Sequence, residues 1–228
     1  MKSSEDISEP QDILVENKQR TSDTYVNILL YPLPIRIFHW VLVVSLSLTI
    51  ISSIMISFTY PLLPMRTVRL IHISMGFIVL AIVLYRLGYG SVSGDYKNFS
   101  IKLKDFKTFP ELVKYYLFLR DSPPPLRTKY NIGQKFTMFS WLIGIFYQSF
   151  AGIMLLNTSF ISKGPIFFPL SRLILPQQIR VTKYYLNIYF IITIMLHIYL
   201  AHTEDIAKTQ SMFTGGVRIL RKNSKNQG

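Results

Sequence analysis

The stretch RIFHWVLVVSLSLTIISSIMISFTYPLLPMR, residues 36–66, decides the fold. Between Arg36 and Arg66 it contains no acidic or basic residue. A helix needs roughly 20 apolar residues to cross the hydrocarbon core of a bilayer. A soluble helix of that length shows a polar face at every turn. This segment has the length and lacks the polar face, so it reads as a transmembrane helix.

Three more blocks of the same kind follow. Residues 70–85 lie between Arg69 and Arg86, residues 136–162 between Lys135 and Lys163, and residues 184–203 between Lys183 and Glu204. The block at 70–85 is short, but Arg69 and Arg86 can extend their aliphatic stems and place their charges at the two interfaces. Half of the 228 residues are hydrophobic and 16% are charged. The apolar residues are gathered into blocks, not scattered as around a soluble core. The fold class is therefore all-α, an integral membrane four-helix bundle. The helices are predicted at about 36–59, 67–89, 135–156 and 181–203 within a domain spanning 35–205.

The connections differ in character. Residues 1–34 form a polar, charged tail of disordered composition. YPLLP, residues 60–64, is a short outer turn. Segment 90–134 contains KDFKTFPELVKYYLFLR (104–120), which reads as an amphipathic interfacial helix. The run DSPPPL (121–126) ends that helix in a stiff spacer. An outer loop of about 25 residues precedes the last helix, and FFPLSRLILP (167–176) within it is expected along the interface. A basic tail, 206–228, closes the chain.

The net charge of +13 raises a nucleic-acid reading, which the placement of the charge opposes. Of the 25 Lys and Arg residues, 19 lie before the first helix, between the second and third, or after the fourth. Six lie in the other two connections. The positive-inside rule puts both termini and segment 90–134 in the cytoplasm, in a cell (plasma or inner) membrane. A basic surface against anionic lipid accounts for the charge without nucleic acid. There is no cysteine. Disulfides, cysteine-ligated iron–sulfur clusters and thioether-linked haem are thereby excluded.

All four histidines fall in or at the ends of the predicted spans: His39 in the first, His72 in the second, His197 and His202 in the fourth. An ionisable residue at membrane depth is a functional hypothesis by default. His39 is near the inner surface and His72 near the outer one. His197 comes about 14 residues into its helix, roughly 21 Å, and so shares the depth of His39. Two imidazoles at one depth on different helices can ligate one haem iron from opposite faces. The competing reading is that each histidine hydrogen-bonds a neighbouring helix. His202, beside Thr203, Glu204 and Asp205, reads as a surface residue. Gly76, one turn after His72, and Gly144 and Gly152 admit either a flat ligand or close helix packing. Arg36, Arg69, Arg86 and Lys135 at helix ends are candidates for haem propionates, or plain interfacial anchors.

Four stretches carry a family resemblance: PIRIFHW (34–40), RLIHISMGF (69–77) followed by Tyr85-Arg86, KYNIGQKF (129–136), and HIYLAHTEDIAKTQSMFTGGVR (197–218). The chain resembles the b-type cytochrome subunit of membrane-bound nickel–iron hydrogenases. Its wider relatives are the cytochrome b subunits of formate dehydrogenase and thiosulfate reductase. The resemblance implies haem b held by His39, His72 and His197. It further implies a role in anchoring the iron–sulfur and catalytic subunits of a hydrogenase-like oxidoreductase and exchanging electrons with quinone. The family pattern also has an outer histidine on the fourth helix. That position falls at or beside Lys183. The resemblance thus implies one secure haem, with His72 as an outer ligand whose partner is absent or unusual, Lys183 or Met154. A transporter or membrane anchor without haem is the alternative.

Overall fold

The computed structural model of the protein describes residues 24–58, 62–125, 128–156, 176–204 and 206–221. The expectations for the tail 1–23, for the start of the YPLLP turn, for the loop 157–175 and for the last seven residues lie outside the described residues. In chain order the elements are β1 (Thr24–Leu29), α1 (Leu33–Phe58), α2 (Met65–Ser93), a 3₁₀ turn (Asp95–Phe99), α3 (Leu103–Tyr116), α4 (Ile132–Leu156), α5 (Pro176–Glu204), α6 (Ile206–Thr214) and β2 (Gly216–Arg221). The chain divides into two compact units. One is residues 37–200; the other is the residues up to 36 together with those from 201.

Within residues 37–200 the fold is set by α1, α2, α4 and α5, each long and apolar enough to cross a membrane. The shortest, α4, has 25 residues, which at about 1.5 Å per residue exceeds the roughly 30 Å of hydrocarbon. Ile51, Phe150, Ile192 and Met195 point outward. Such apolar exteriors suit lipid rather than water. A smaller set points inward: Ile50 from α1, Val79 and Val83 from α2, Ile145 from α4 and Phe190 from α5 form a buried cluster. A Cβ on Gly144 would stand 2.9 Å from the ζ carbon of Phe190. Of the two roles open to Gly144, packing is the one occupied.

Hydroxyls inside the apolar helices are satisfied locally. Ser45 donates to Val41 O at 2.7 Å, Thr49 to Ser45 O at 2.7 Å and Ser52 to Leu48 O at 2.6 Å. This back-bonding removes the cost of carrying a polar group through hydrocarbon. The helix ends follow local chemistry too. Gly94, with φ +73°, stops α2 in the left-handed conformation. At α4, Gln134 N–H donates to Asn131 Oδ1 at 2.8 Å and Asn131 N–H to Gln134 Oε1 at 3.1 Å. The KYNIGQKF stretch thus contains a reciprocal cap. Helix α5 begins five residues earlier than predicted, at Pro176. Proline suits a first helical turn, and long basic side chains such as Arg180 tolerate an interfacial position.

In the other unit, β1 and β2 pair antiparallel from Thr24 opposite Arg221 to Leu29 opposite Gly216. The sequence offered only tails here. Gly215, at φ +90°, makes the turn from α6 into β2. Its carbonyl accepts from Leu30 and Tyr31 N–H groups at 2.9 and 3.0 Å. A Cβ at Gly216 would approach Ile28 O to 3.3 Å. The two glycines of the TGGV run therefore serve this ribbon.

Candidate functional site

His39 lies six residues after the start of α1, and His197 seven before the end of α5. At about 1.5 Å per residue both stand roughly 10 Å in from a helix end. Among the described residues neither ring has a hydrogen-bond partner, so the nitrogen lone pairs are not committed to the protein. His39 is half-buried and packs edge-on to Trp40, with centroids 5.3 Å apart. His197 is more open and stands edge-on to Trp141 at 5.6 Å. Trp141 is itself fixed, donating from Nε1 to Thr193 Oγ1 at 2.9 Å, one turn before His197. This hydrogen bond ties α4 to α5 and sets the wall against which His197 rests.

The second arrangement lies at the other end of the spans. His72 and Lys183 each stand seven residues after the start of their helices, α2 and α5. His72 Nδ1 is 3.1 Å from Thr49 O and 3.1 Å from Ser52 Oγ. A carbonyl can only accept, so Nδ1 carries the proton and Nε2 keeps its lone pair. Fixing one ring nitrogen so that the other can ligate is the usual arrangement behind a metal-bound histidine.

Lys183 donates from Nζ to Gln148 O at 3.0 Å and lies over Gly152, where a Cβ would be 3.7 Å from Nζ. Gln148 Nε2 donates to Lys183 O at 3.0 Å and Asn187 Oδ1 at 3.3 Å. Asn187 Nδ2 donates to Ser53 Oγ at 2.5 Å. Gln148 Oε1 is buried without a partner among the described residues. As an ammonium, Lys183 has no lone pair; only its neutral amine could ligate.

A flat, metal-centred ligand fits these donors. His39 and His197 offer nitrogen from two helices at one depth. His72 presents Nε2. A Cβ on Gly76, one turn further along α2, would meet nothing within 4 Å. Met154, the other unusual outer ligand considered, is buried against Ala151 and Ile179.

Three of the four basic residues proposed for propionates have other partners. Arg36 donates to Met212 O at 3.3 Å and to Phe213 O, capping the end of α6. Arg86 pairs with Asp95 and lies over the rings of Phe38 and Phe99. Lys135 is buried; its ammonium lies 3.1 Å from Asp105 Oδ2 and 3.0 Å from Ser100 O. The sequence reading missed Asp105 as the partner of Lys135. The only cue was a lone acid among the lysines at 102, 104 and 107. Arg69 is exposed. His202 is exposed, as its sequence context indicates. The supports Thr49, Ser52, Trp141 and Gln148 were not foreseen either, since nothing in an apolar run marks which polar residue meets a neighbouring helix.

Two curated relatives, from Azotobacter chroococcum mcd 1 and Azotobacter vinelandii, are each named "Probable Ni/Fe-hydrogenase B-type cytochrome subunit". Each is 24% identical to this chain over 212 residues, covering 84% of it and 88% of the relative. The profile of the prokaryotic cytochrome b561 family matches residues 30–215, which hold all four spans and all four histidines. The chain belongs to the prokaryotic cytochrome b561 family.

Proposed function

We propose that this chain passes electrons between the iron–sulfur clusters of a peripheral, hydrogenase-like oxidoreductase and a quinone pool, through haem b held by His39 and His197. A b-type cytochrome family implies haem b, and four apolar spans make a multi-pass membrane protein. The observation that carries the proposal is that His39 and His197, near opposite ends of the chain, lie at matching distances from the helix ends, six residues into α1 and seven before the end of α5.

Bound there, haem b supplies a one-electron iron couple. The chain's part is to present two neutral imidazoles and hold their orientation. Trp141, pinned to Thr193, limits the swing of His197. Phe38 and Leu42 on α1 pack against the buried cluster and keep water from the helix interface. A dry, apolar surround tunes an iron potential and restricts solvent access.

The printed names of the Azotobacter relatives support a hydrogenase-like partner. Substrate chemistry belongs to that partner. The quinone would be met near His39, His197 and the start of segment 90–134. Both termini in the cytoplasm of a cell membrane is the orientation that 19 basic residues against six supports.

A second reading concerns the outer pair. The Nδ1–H of His72, which leaves Nε2 free, and the matching positions of His72 and Lys183, each seven residues into its helix, favour a second haem ligated by His72, with the neutral amine of Lys183 as its other ligand.

Haem counting by pyridine haemochrome on purified protein tests both. His39→Ala and His197→Ala should each abolish the Soret band of the secure haem, while His72→Ala leaves it. A colourless wild-type protein would support the transporter or anchor alternative and end the electron-transfer reading. Two haems in the wild type, with one lost in Lys183→Ala, would establish the outer pair. Mass spectrometry of co-purified subunits identifies the partner.

A further inference from the structure

Helix α3 carries three faces, and only two have an evident role. At about 100° per residue, Asp105 and Leu112 point the same way, and both are buried. Leu112 lies against the start of α4, where a Cβ on Gly133 would be 3.2 Å from it, and Asp105 holds Lys135 of α4. Lys104, Lys107, Glu111 and Lys114 occupy a second arc. The third arc contains Leu103, Phe106, Phe109, Pro110, Val113 and Leu117, and all of these are exposed. Leu103 is 87% exposed.

The helix ends on an outlier. Phe118 has φ +58° and is 89% exposed. A bulky residue in the left-handed region costs about 1–2 kcal/mol. Its N–H donates to Tyr115 O at 3.0 Å and Leu119 N–H to Lys114 O at 2.9 Å, so the conformation is held by the helix end. Backbone strain that presents an aromatic ring to the outside points to something that receives the ring.

We infer that the Leu103–Phe118 face of α3 inserts into the leaflet that the spans themselves cross, with Lys104, Lys107 and Lys114 on anionic lipid headgroups. Two observations select lipid over a protein partner. The first is continuity: α3 is fixed to the first turn of α4 by the buried Asp105–Lys135 ion pair, so it lies at a span's end, where the interface is. The second is charge. Glu111 is neutralised by Arg120 at 2.8 Å, which leaves the three lysines as the net charge of that arc. Lysines beside an apolar arc are the pattern of helices lying in an anionic interface.

The chain has no cysteine, so single cysteines can be introduced for nitroxide labels without background. The full chain, as Phe106→Cys and separately Glu111→Cys, is reconstituted in vesicles of phosphatidylcholine with phosphatidylglycerol. Labels are read by electron paramagnetic resonance for collision with oxygen and with a water-soluble nickel chelate. The expected result is a label at 106 lying about 5–10 Å below the phosphates, with a label at 111 in water. A label at 106 as accessible to nickel as that at 111 would overturn the inference. So would a label at 106 shielded from both reagents, which means protein covers the face. In vesicles of phosphatidylcholine alone the label at 106 should sit shallower, and Lys104→Gln with Lys107→Gln and Lys114→Gln should remove that difference. Equal depth in both lipids would refute the headgroup contact.

Discussion

At the scale of single residues, the least replaceable partnership outside the histidines is Lys135 with Asp105. Both are buried, and the carboxylate also accepts the Lys102 N–H at 3.1 Å at the start of α3. Asp105→Asn leaves the buried ammonium without a counter-charge, facing only neutral acceptors. Removing one partner of such a pair costs about 3–5 kcal/mol. The thermal midpoint of detergent-purified protein should fall markedly, and Lys135→Met added to Asp105→Asn should recover most of the loss. If the single change is neutral, the pair is not holding α3. Lys183 gives the complementary prediction. Lys183→His places an imidazole at the depth of His72, whose Nε2 is free to ligate. Where the wild type binds a single haem, haem content per chain should then rise from one to two. An unchanged count of one would show that His72 is not a ligand.

At the scale of elements, Gly144 decides how close α4 and α5 can come. A methyl group there would meet Phe190 at 2.9 Å, with Leu186 also nearby at 3.7 Å. Overpacking of this kind costs about 1–3 kcal/mol. Gly144→Ala should lower the thermal midpoint, and Gly144→Ala with Phe190→Leu should restore much of it. Gly76→Ala, with open space around its added carbon, should leave stability unchanged, and its effect should appear in haem content instead. The four spans were legible because hydrocarbon tolerates no polar face, and uninterrupted apolar runs bounded by Arg and Lys announce that directly. The matching helix positions of His39 and His197 were legible from the lengths of the apolar blocks. The α1–α2 bond from His72 to Thr49 was not, because a backbone carbonyl has no sequence signature. The burial of Lys135 was hidden for a similar reason: a lysine just ahead of an apolar block looks interfacial until the acid facing it, thirty residues earlier, is seen. The ribbon was the least visible element. Its strands lie at opposite ends of the chain, so no hairpin turn marks them.

For the molecule as a whole, the pairing of β1 with β2 restricts the topology. Residues 24–29 precede the first span and residues 216–221 follow the last. Strands can pair only on one side of a bilayer, which requires an even number of crossings between them and agrees with four. In the proposed orientation that side is the cytoplasm. Alkaline phosphatase fused after residue 221 should be inactive in cells, and fused between residues 157 and 175 it should be active. The reverse pattern would invert the proposed orientation while leaving the four spans intact.

The same ribbon also makes the polypeptide nearly a ring. Thr24 and Arg221 face each other across one ladder step, a gap a few added residues can bridge. A circular permutant joined there and opened after the exposed Asp121 would keep every span and every histidine. Its ability to take up pigment would show whether the order in which the helices enter the membrane matters to assembly, or only their final company.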